Sequence, residues 1–333
     1  MIEELYQVVF VKIPRIFLIF SMMFLPITIV GNIKEYLDNN NESHEEDQYL
    51  ELINKILDKG DITESRNGIV KSVFGNKMEF DLSNNTLPLL TTKRVAYKTC
   101  IKELLWFIRG QTSNKLLKEQ NVHIWDENGS REFLDSRNLN YRNVDDLGPI
   151  YGHQWRHFNA DYYTSDADYT NKGVDQLMYI INALKDPKEK YSRRLLMSAW
   201  NPCQLDEMAL PPCHVLAQFN VSDENKLSCA LYQRSGDVGL GVPFNIASYS
   251  VLTHLIAHYT GLKAHKFVYF LGNAHIYEEH IEPLKEQTQR NPYKFPLIKL
   301  TPEVPEKIED YELNNIEVID YQCHSKIEMK MKA

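Results

Sequence analysis

Residues 210–249 read LPPCHVLAQFNVSDENKLSCALYQRSGDVGLGVPFNIASY, a stretch that carries two strands, a glycine-rich turn and the start of a helix. Val215 to Val221 and Leu227 to Gln233 are short, apolar or alternating, and a polar turn separates them. That is the pattern of half-buried strands. Glycines and Pro243 then lead into a helix expected from Asn245 to Tyr259, with Gly261 placed to end it. Working outward, Arg194 to Trp200 and Lys266 to Leu271 read as two more strands. Upstream, Leu50, Ile53, Ile56 and Leu57 share one helical face that Gly60 closes, and Val174 to Leu184 form a helix stopped by Asp186 and Pro187. A helix over Tyr97 to Arg109 is apolar nearly all round, which predicts that it is buried. Helices and strands mix without regular βαβ alternation, so the expected class is α+β, a mixed β-sheet core with packed helices.

The net charge of −8 excludes broad nucleic-acid binding, which needs a basic face, but leaves room for a local pocket that holds one phosphate. No DNA partner is expected, and nothing in the sequence supports RNA binding. The five cysteines are odd in number and include no CxxC pair, which argues for a reducing compartment, the cytoplasm, over a disulfide scaffold. No metal site is expected, since adjacent Cys213 and His214 point apart on regular structure. Near the N-terminus, Lys12 and Arg15 precede an uncharged stretch, Ile16 to Val30, that is short for a membrane span and is broken by Pro26. It reads as a non-native or mis-assigned start of the chain or as a membrane tether over 16–30; export would oxidise a chain suited to thiols. Asn39 to Asp47 has linker composition. The expected organisation is an extension over 1–47 and one folded domain over 48–333.

Among the residues that carry chemistry, Cys213 follows two prolines that stiffen the backbone before the thiol. A nucleophilic thiol needs a positive neighbour, and Arg234 at the end of the next strand is placed to be one. A Cys–His protease would need its histidine across a cleft, whereas His214 is adjacent and reads as a core or capping residue. Glu103 sits on the buried helix near Trp106 and Phe107, where desolvation raises a carboxyl toward neutrality, unless it pairs or reaches the surface past Lys102. Arg193 and Arg194 cannot point the same way on a strand, so one can face a phosphate. Asn245 offers a donor and an acceptor that match a uracil edge; alone it is a good helix N-cap.

The order of motifs resembles the thymidylate synthase family: MALPPCH around Cys213, YQRSGDVGLGVPFNIASY at 232–249, DLGPIYGHQWRHF at 146–158, and also KELLWFIRG, HIWDENGSREFLD, SRRLLMSAWNP and LGNAHIY. The resemblance covers Gln48 to Ala333. HEEDQYLELI resembles the start of the synthase half of bifunctional reductase–synthase proteins, and the segments between Asn128 and Asp145 and between Asn159 and Gly173 resemble insertions of eukaryotic members. The resemblance implies that fold, a homodimer through its sheet, and reductive methylation of dUMP to dTMP with 5,10-methylenetetrahydrofolate as co-substrate. It makes Cys213 the nucleophile at C6, Glu103 the proton relay, and Tyr151 the helper in C5 proton removal. Asn245 would read the uracil edge, while His275 and Tyr277 bind the deoxyribose hydroxyl. Arg234 and Ser235 would hold the phosphate, with Arg193 and Arg194 reaching it from the other subunit. Asp237 matches the carboxylate for the pterin; Ile124, Trp125, Leu240, Gly241 and Phe244 match folate contacts, and Lys93 a lysine near its glutamate tail. The tail Lys326 to Ala333 would close the site with its terminal carboxylate. There are two departures. Arg66, the match to a phosphate-binding loop arginine, lies one residue closer than usual to Ser72–Gly75, and Lys332 stands where a small apolar residue is common. A hydroxymethylase of the same fold is the nearest rival, and its cytosine version prefers a carboxylate where Asn245 stands. A non-catalytic binding protein is the more distant one.

Overall fold

The computed structural model describes residues 43–65 and 67–332. Arg66, Ala333 and the 16–30 stretch therefore lie outside the described residues. Eight helices and eight strands follow in chain order: α1 Asp47–Lys59, β1 Asp61–Ser65, β2 Gly68–Asp81, α2 Tyr97–Ile108, α3 Asn114–Lys118, α4 Arg131–Ser136, α5 Tyr151–His157, α6 Gln176–Lys185, β3 Leu196–Ser198, β4 His214–Ser222, β5 Lys226–Asp237, α7 Gly241–Thr260, β6 Lys263–Tyr277, α8 Ile281–Gln287, β7 Leu297–Leu300 and β8 Ile316–Ile319, counted among the described residues.

Six strands form one sheet in the order β1-β2-β6-β5-β4-β3, and β7 pairs with β8 apart from it. Every pairing in the large sheet is antiparallel except β5 with β6. A parallel pair needs a crossover, and α7 supplies it. The ends of β5 and β6 thus finish side by side, with Asp237 opposite His275. Antiparallel β4 starts at the same edge, His214 facing Gln233. The sheet therefore gathers at one edge residues that are remote in sequence.

The core lies between the sheet and α2, α5, α6 and α7. Ile101, Leu104, Leu105, Trp106, Phe107 and Ile108 of α2 are all buried, as its all-round apolar sequence requires. Each such side chain contributes roughly 1.5–3 kcal/mol of burial. Buried throughout most of its length, α7 stacks Tyr249 on Phe267 of β6. Its buried Thr253 donates to Tyr249 O at 2.7 Å, so the hydroxyl is satisfied inside the helix. Gly261 ends the helix with φ 71°, a left-handed conformation that glycine adopts without strain.

Several bounds differ from the sequence reading. The α7 helix begins at Gly241, four residues before Asn245, because Pro243 fits the first helical turn, where its missing N–H is no loss. Asn245 is therefore one turn inside the helix and is not its N-cap. On the other side of the sheet, β6 continues to Tyr277, well past Leu271, because β2 and β5 support its full length. The sequence reading gave no strand at β2, whose exposed and buried residues alternate irregularly. Among the described residues no helix is long and apolar enough to cross a membrane.

Candidate active site

An open cavity of about 350 Å³ lies at the edge where β4, β5 and β6 meet. Nine expected residues line it: Glu103, Ile124, Trp125, Cys213, Arg234, Ser235, Asp237, His275 and Tyr277. Met331 and Lys332 of the expected closing tail also line it, and Asn67, Asn128 and Leu210, which were not singled out from the sequence as lining a site, complete the lining. A second cavity of about 380 Å³ lies against the C-terminal end of α7, lined by His254, His258, Lys263 and others, and holds none of the expected residues.

Cys213 precedes β4 and is fixed by its backbone. Its N–H donates to the Tyr151 hydroxyl at 2.7 Å, and its carbonyl accepts from Arg234 N at 3.0 Å. The Arg234 side chain donates through Nε to Pro212 O and through Nη2 to Pro211 O, both at 2.8 Å, with the guanidinium 5.5 Å from the centre of the Trp200 ring. The two prolines thus lend their carbonyls to hold a cation against the backbone that leads to Cys213, in the cavity that Arg234 and Cys213 both line. Arg234 is placed on the cavity as the candidate for the positive neighbour that a thiolate needs.

Glu103 projects from α2 into the cavity, and its Oε1 accepts from Trp125 Nε1 at 2.7 Å. Burial pushes its carboxyl up to about 7, against the lowering effect of the Trp125 bond. A group that titrates near neutrality can both give and take a proton. Burial likewise keeps the Tyr151 phenol protonated, well above its ordinary value.

Asn245 is buried and does not itself line the cavity, although a Cβ at Gly241 would lie 3.9 Å from its Oδ1 and 3.8 Å from Cβ of the lining residue Asp237. The Asn245 Nδ2 donates to His214 Nε2 at 2.7 Å, and its Oδ1 lies 3.5 Å from the Tyr269 hydroxyl. Burial drives the His214 imidazole down to about 4, so the ring is neutral, and since the amide Nδ2 can only donate, Nε2 is the acceptor and Nδ1 carries the proton. His214 therefore orients the Asn245 amide. The CH pair in the sequence was the only signal of that role.

Asp237 Oδ1 accepts from Gly239 N at 2.8 Å. Lys93 is buried beneath this turn and donates to Gly239 O, instead of reaching the surface as a tail-binding lysine would. Desolvation lowers its ammonium to about 8, opposed by the charges of Asp237 and Glu46. Leu240, Gly241 and Phe244 sit just beyond this turn, at the start of α7. The side chain of His275 faces Asn273 Oδ1 at 3.1 Å through Nδ1 and packs edge-on against Tyr277. Arg193 and Arg194 are exposed ahead of β3 and do not line the cavity. Lys332 lines it while pairing with Glu279 at 2.9 Å. No cluster suited to a metal ion occurs among the described residues.

A family model described as thymidylate synthase matches residues 47–333. The chain is 54% identical over 302 residues to the bifunctional dihydrofolate reductase-thymidylate synthase of Leishmania major, covering 90% of this chain and 57% of that protein. It is 49% identical over 307 residues to the thymidylate synthase of Saccharomyces cerevisiae, covering 89% of this chain and 99% of the relative. It is 51% identical over 292 residues to thymidylate synthase 1/2 of Encephalitozoon cuniculi, covering 87% and 98%. The chain spans little more than half the length of the bifunctional relatives, 57% in Leishmania major and 51% in Plasmodium chabaudi.

Proposed function

The chain belongs to the thymidylate synthase family, and on that premise we propose that it converts dUMP to dTMP with 5,10-methylenetetrahydrofolate, releasing dihydrofolate. The observation that carries this reading is the convergence of Cys213, Arg234, Glu103, Asp237 and His275 on one cavity. The Cys213 thiolate adds to C6 of the uracil and so makes C5 a carbanion equivalent. C5 bonds to the folate methylene, and a base removes the C5 proton. The folate C–N bond then breaks, and hydride passes from the reduced pterin to the methylene as Cys213 leaves.

In this reading Glu103, titrating near 7, moves protons at the uracil edge, and the Tyr151 hydroxyl, held against Cys213 N, assists at C5. Asn245, oriented by His214, reads the base. The deoxyribose meets His275 and Tyr277, and the phosphate meets Arg234 and Ser235. Ile124 and Trp125 offer an apolar wall to the pterin, with Asp237 as its polar anchor; Leu240, Gly241 and Phe244 flank that side. Lys93 fits better as a support beneath Gly239 than as a direct contact to glutamate.

The proposal includes a homodimer formed through the outer face of the sheet, supported by exposed Leu196, Tyr232 and Phe270, each next to a strand residue buried on the opposite, helix-packed face. In such a dimer the exposed Arg193 and Arg194 would reach the partner's phosphate site. Arg66 and Ala333 keep their proposed roles in phosphate binding and closure, although both lie outside the described residues. The expected boundary at 47/48 moves back to 44/45, because Glu46 is buried against Thr91 and Thr92 and α1 starts at Asp47; residues 45–333 are proposed as the synthase domain with an extension before it, and the need for a reduced thiol supports a cytoplasmic location.

The test is turnover of the purified chain with dUMP and 5,10-methylenetetrahydrofolate, followed by the absorbance rise of dihydrofolate. A rise that needs both substrates is expected. A folded chain that binds dUMP without forming dihydrofolate overturns the reading, and product mass separates methylation from hydroxymethylation.

A further inference from the structure

We propose that His280 is a positioning residue that fastens the C-terminal segment to Asp237, so that closure of the site depends on the charge of one imidazole. This rests on the reading of the cavity given above. His280 sits in the turn between β6 and α8 and has no solvent exposure. Its Nε2 lies 2.8 Å from the Lys330 carbonyl. A carbonyl can only accept, so Nε2 carries a proton. Its Nδ1 is buried without a hydrogen bond and faces Asp237 Oδ1 at 3.7 Å.

In the neutral ring, the lone pair of Nδ1 would face a carboxylate away from water, which is repulsive. In the imidazolium both nitrogens are donors, one toward the tail and one toward Asp237. Burial disfavours the charge, but the Asp237 carboxylate and the Lys330 carbonyl outweigh it, and His280 titrates above its ordinary 6.5. The junction is tight, since a Cβ at Gly239 would lie 2.8 Å from His280 Nδ1 and 3.2 Å from both Asp237 Oδ1 and Met329 Sδ.

Other charges interact with the ring from neighbouring elements, namely Lys93 beneath Gly239, His275 on β6 and Glu279 beside it, and Glu279 in turn faces Lys330 and Lys332 of the tail. Ile327 is buried and Met329 packs on the core, but beyond them a further polar tie among the described residues is the Lys332–Glu279 pair, whose glutamate is exposed; such pairs hold weakly. His280 is therefore the principal fastening for Met331 and Lys332 over the cavity. The sign follows from the raised titration. The latch is full below 6.5 and weakens as pH rises through the folded value.

The test compares the full chain with His280→Gln, which keeps a donor for Lys330 O and carries no charge. Carboxypeptidase release of the C-terminal residues is followed by mass spectrometry from about pH 6 to about pH 9, and the wild-type rate is divided by the variant's at each pH, which cancels the peptidase's own profile. The ratio is expected to rise roughly tenfold across that range. A flat ratio overturns the latch. Should His280→Gln fail to fold, the ring titration of His280 in the intact chain serves instead. A midpoint above 6.5 that coincides with faster tail release supports the latch, and one at or below 6.5 overturns it. The KM for folate should rise with the same midpoint while kcat follows Glu103. Since tail release needs no turnover, an inactive chain with a rising ratio would keep the latch and reject the proposed reaction. An active chain with a flat ratio would do the opposite.

Discussion

Cys213, Glu103 and Asn245 owe their chemistry to different causes. The Cys213 thiol shares its cavity with a guanidinium whose geometry is set by two proline carbonyls. Cys213→Ser should fold and bind dUMP while losing turnover by roughly 10³-fold or more, because a hydroxyl is a far weaker nucleophile at neutral pH; retained turnover would remove Cys213 from the mechanism. Glu103 titrates near 7 against a usual 4.5, so the fold binds its proton more tightly than the unfolded chain does. Its contribution to stability is therefore full below 4.5 and is lost as pH rises through 7, by up to about 3 kcal/mol. Glu103→Gln should abolish that slope in denaturant titrations run across this range, and should also lower turnover sharply at every pH. A slope unchanged in the variant would mean that another group titrates. The sequence already marked Glu103 as a buried carboxyl on an apolar helix. It did not reveal the Trp125 bond or the way His214 sets the Asn245 amide, since those partners meet only across the fold.

The first helix shows how a local element is tied to the site. Glu46, just before α1, is fully buried and accepts four hydrogen bonds, from the backbone N–H and hydroxyl of both Thr91 and Thr92 at 2.6–2.8 Å. Tyr49 on the same helix donates to Val238 O at 2.8 Å, next to the Asp237 turn. Thus α1 pins both the segment carrying Lys93 and the turn carrying Asp237. Glu46→Ala leaves buried donors without their acceptor and should destabilise the chain by about 3 kcal/mol. A shift in urea midpoint with an unchanged slope would show it, and a shift under about 0.5 kcal/mol would place the clamp among surface features. The amphipathic pattern made α1 legible as a helix, but nothing local in ESHEEDQYL marks Glu46 as buried among its acidic neighbours, since burial is set by the distant threonines.

For the whole molecule, the test falls on the uncovered sheet face. Tyr232 stands opposite Phe270 in the β5–β6 register, and both are exposed. Tyr232→Lys combined with Phe270→Glu should convert a dimer to monomers in sedimentation and lower turnover more than about tenfold, as the partner's arginines are lost. A variant that stays dimeric would move the interface elsewhere. The sequence by itself determined the helices that are amphipathic or apolar nearly all round, the strands at 215–221 and 227–233, and the residue types that the chemistry needs, because periodicity and side-chain chemistry are local properties. Only the tertiary structure decided that β2 pairs with β6 across some two hundred residues of chain, and that β5 and β6 run parallel and end together. It also decided that Lys93 lies beneath Gly239 and that His280 ties the tail to Asp237. Strand pairing, burial and the electrostatic environment of a group arise from neighbours brought near by folding, and no local pattern records them.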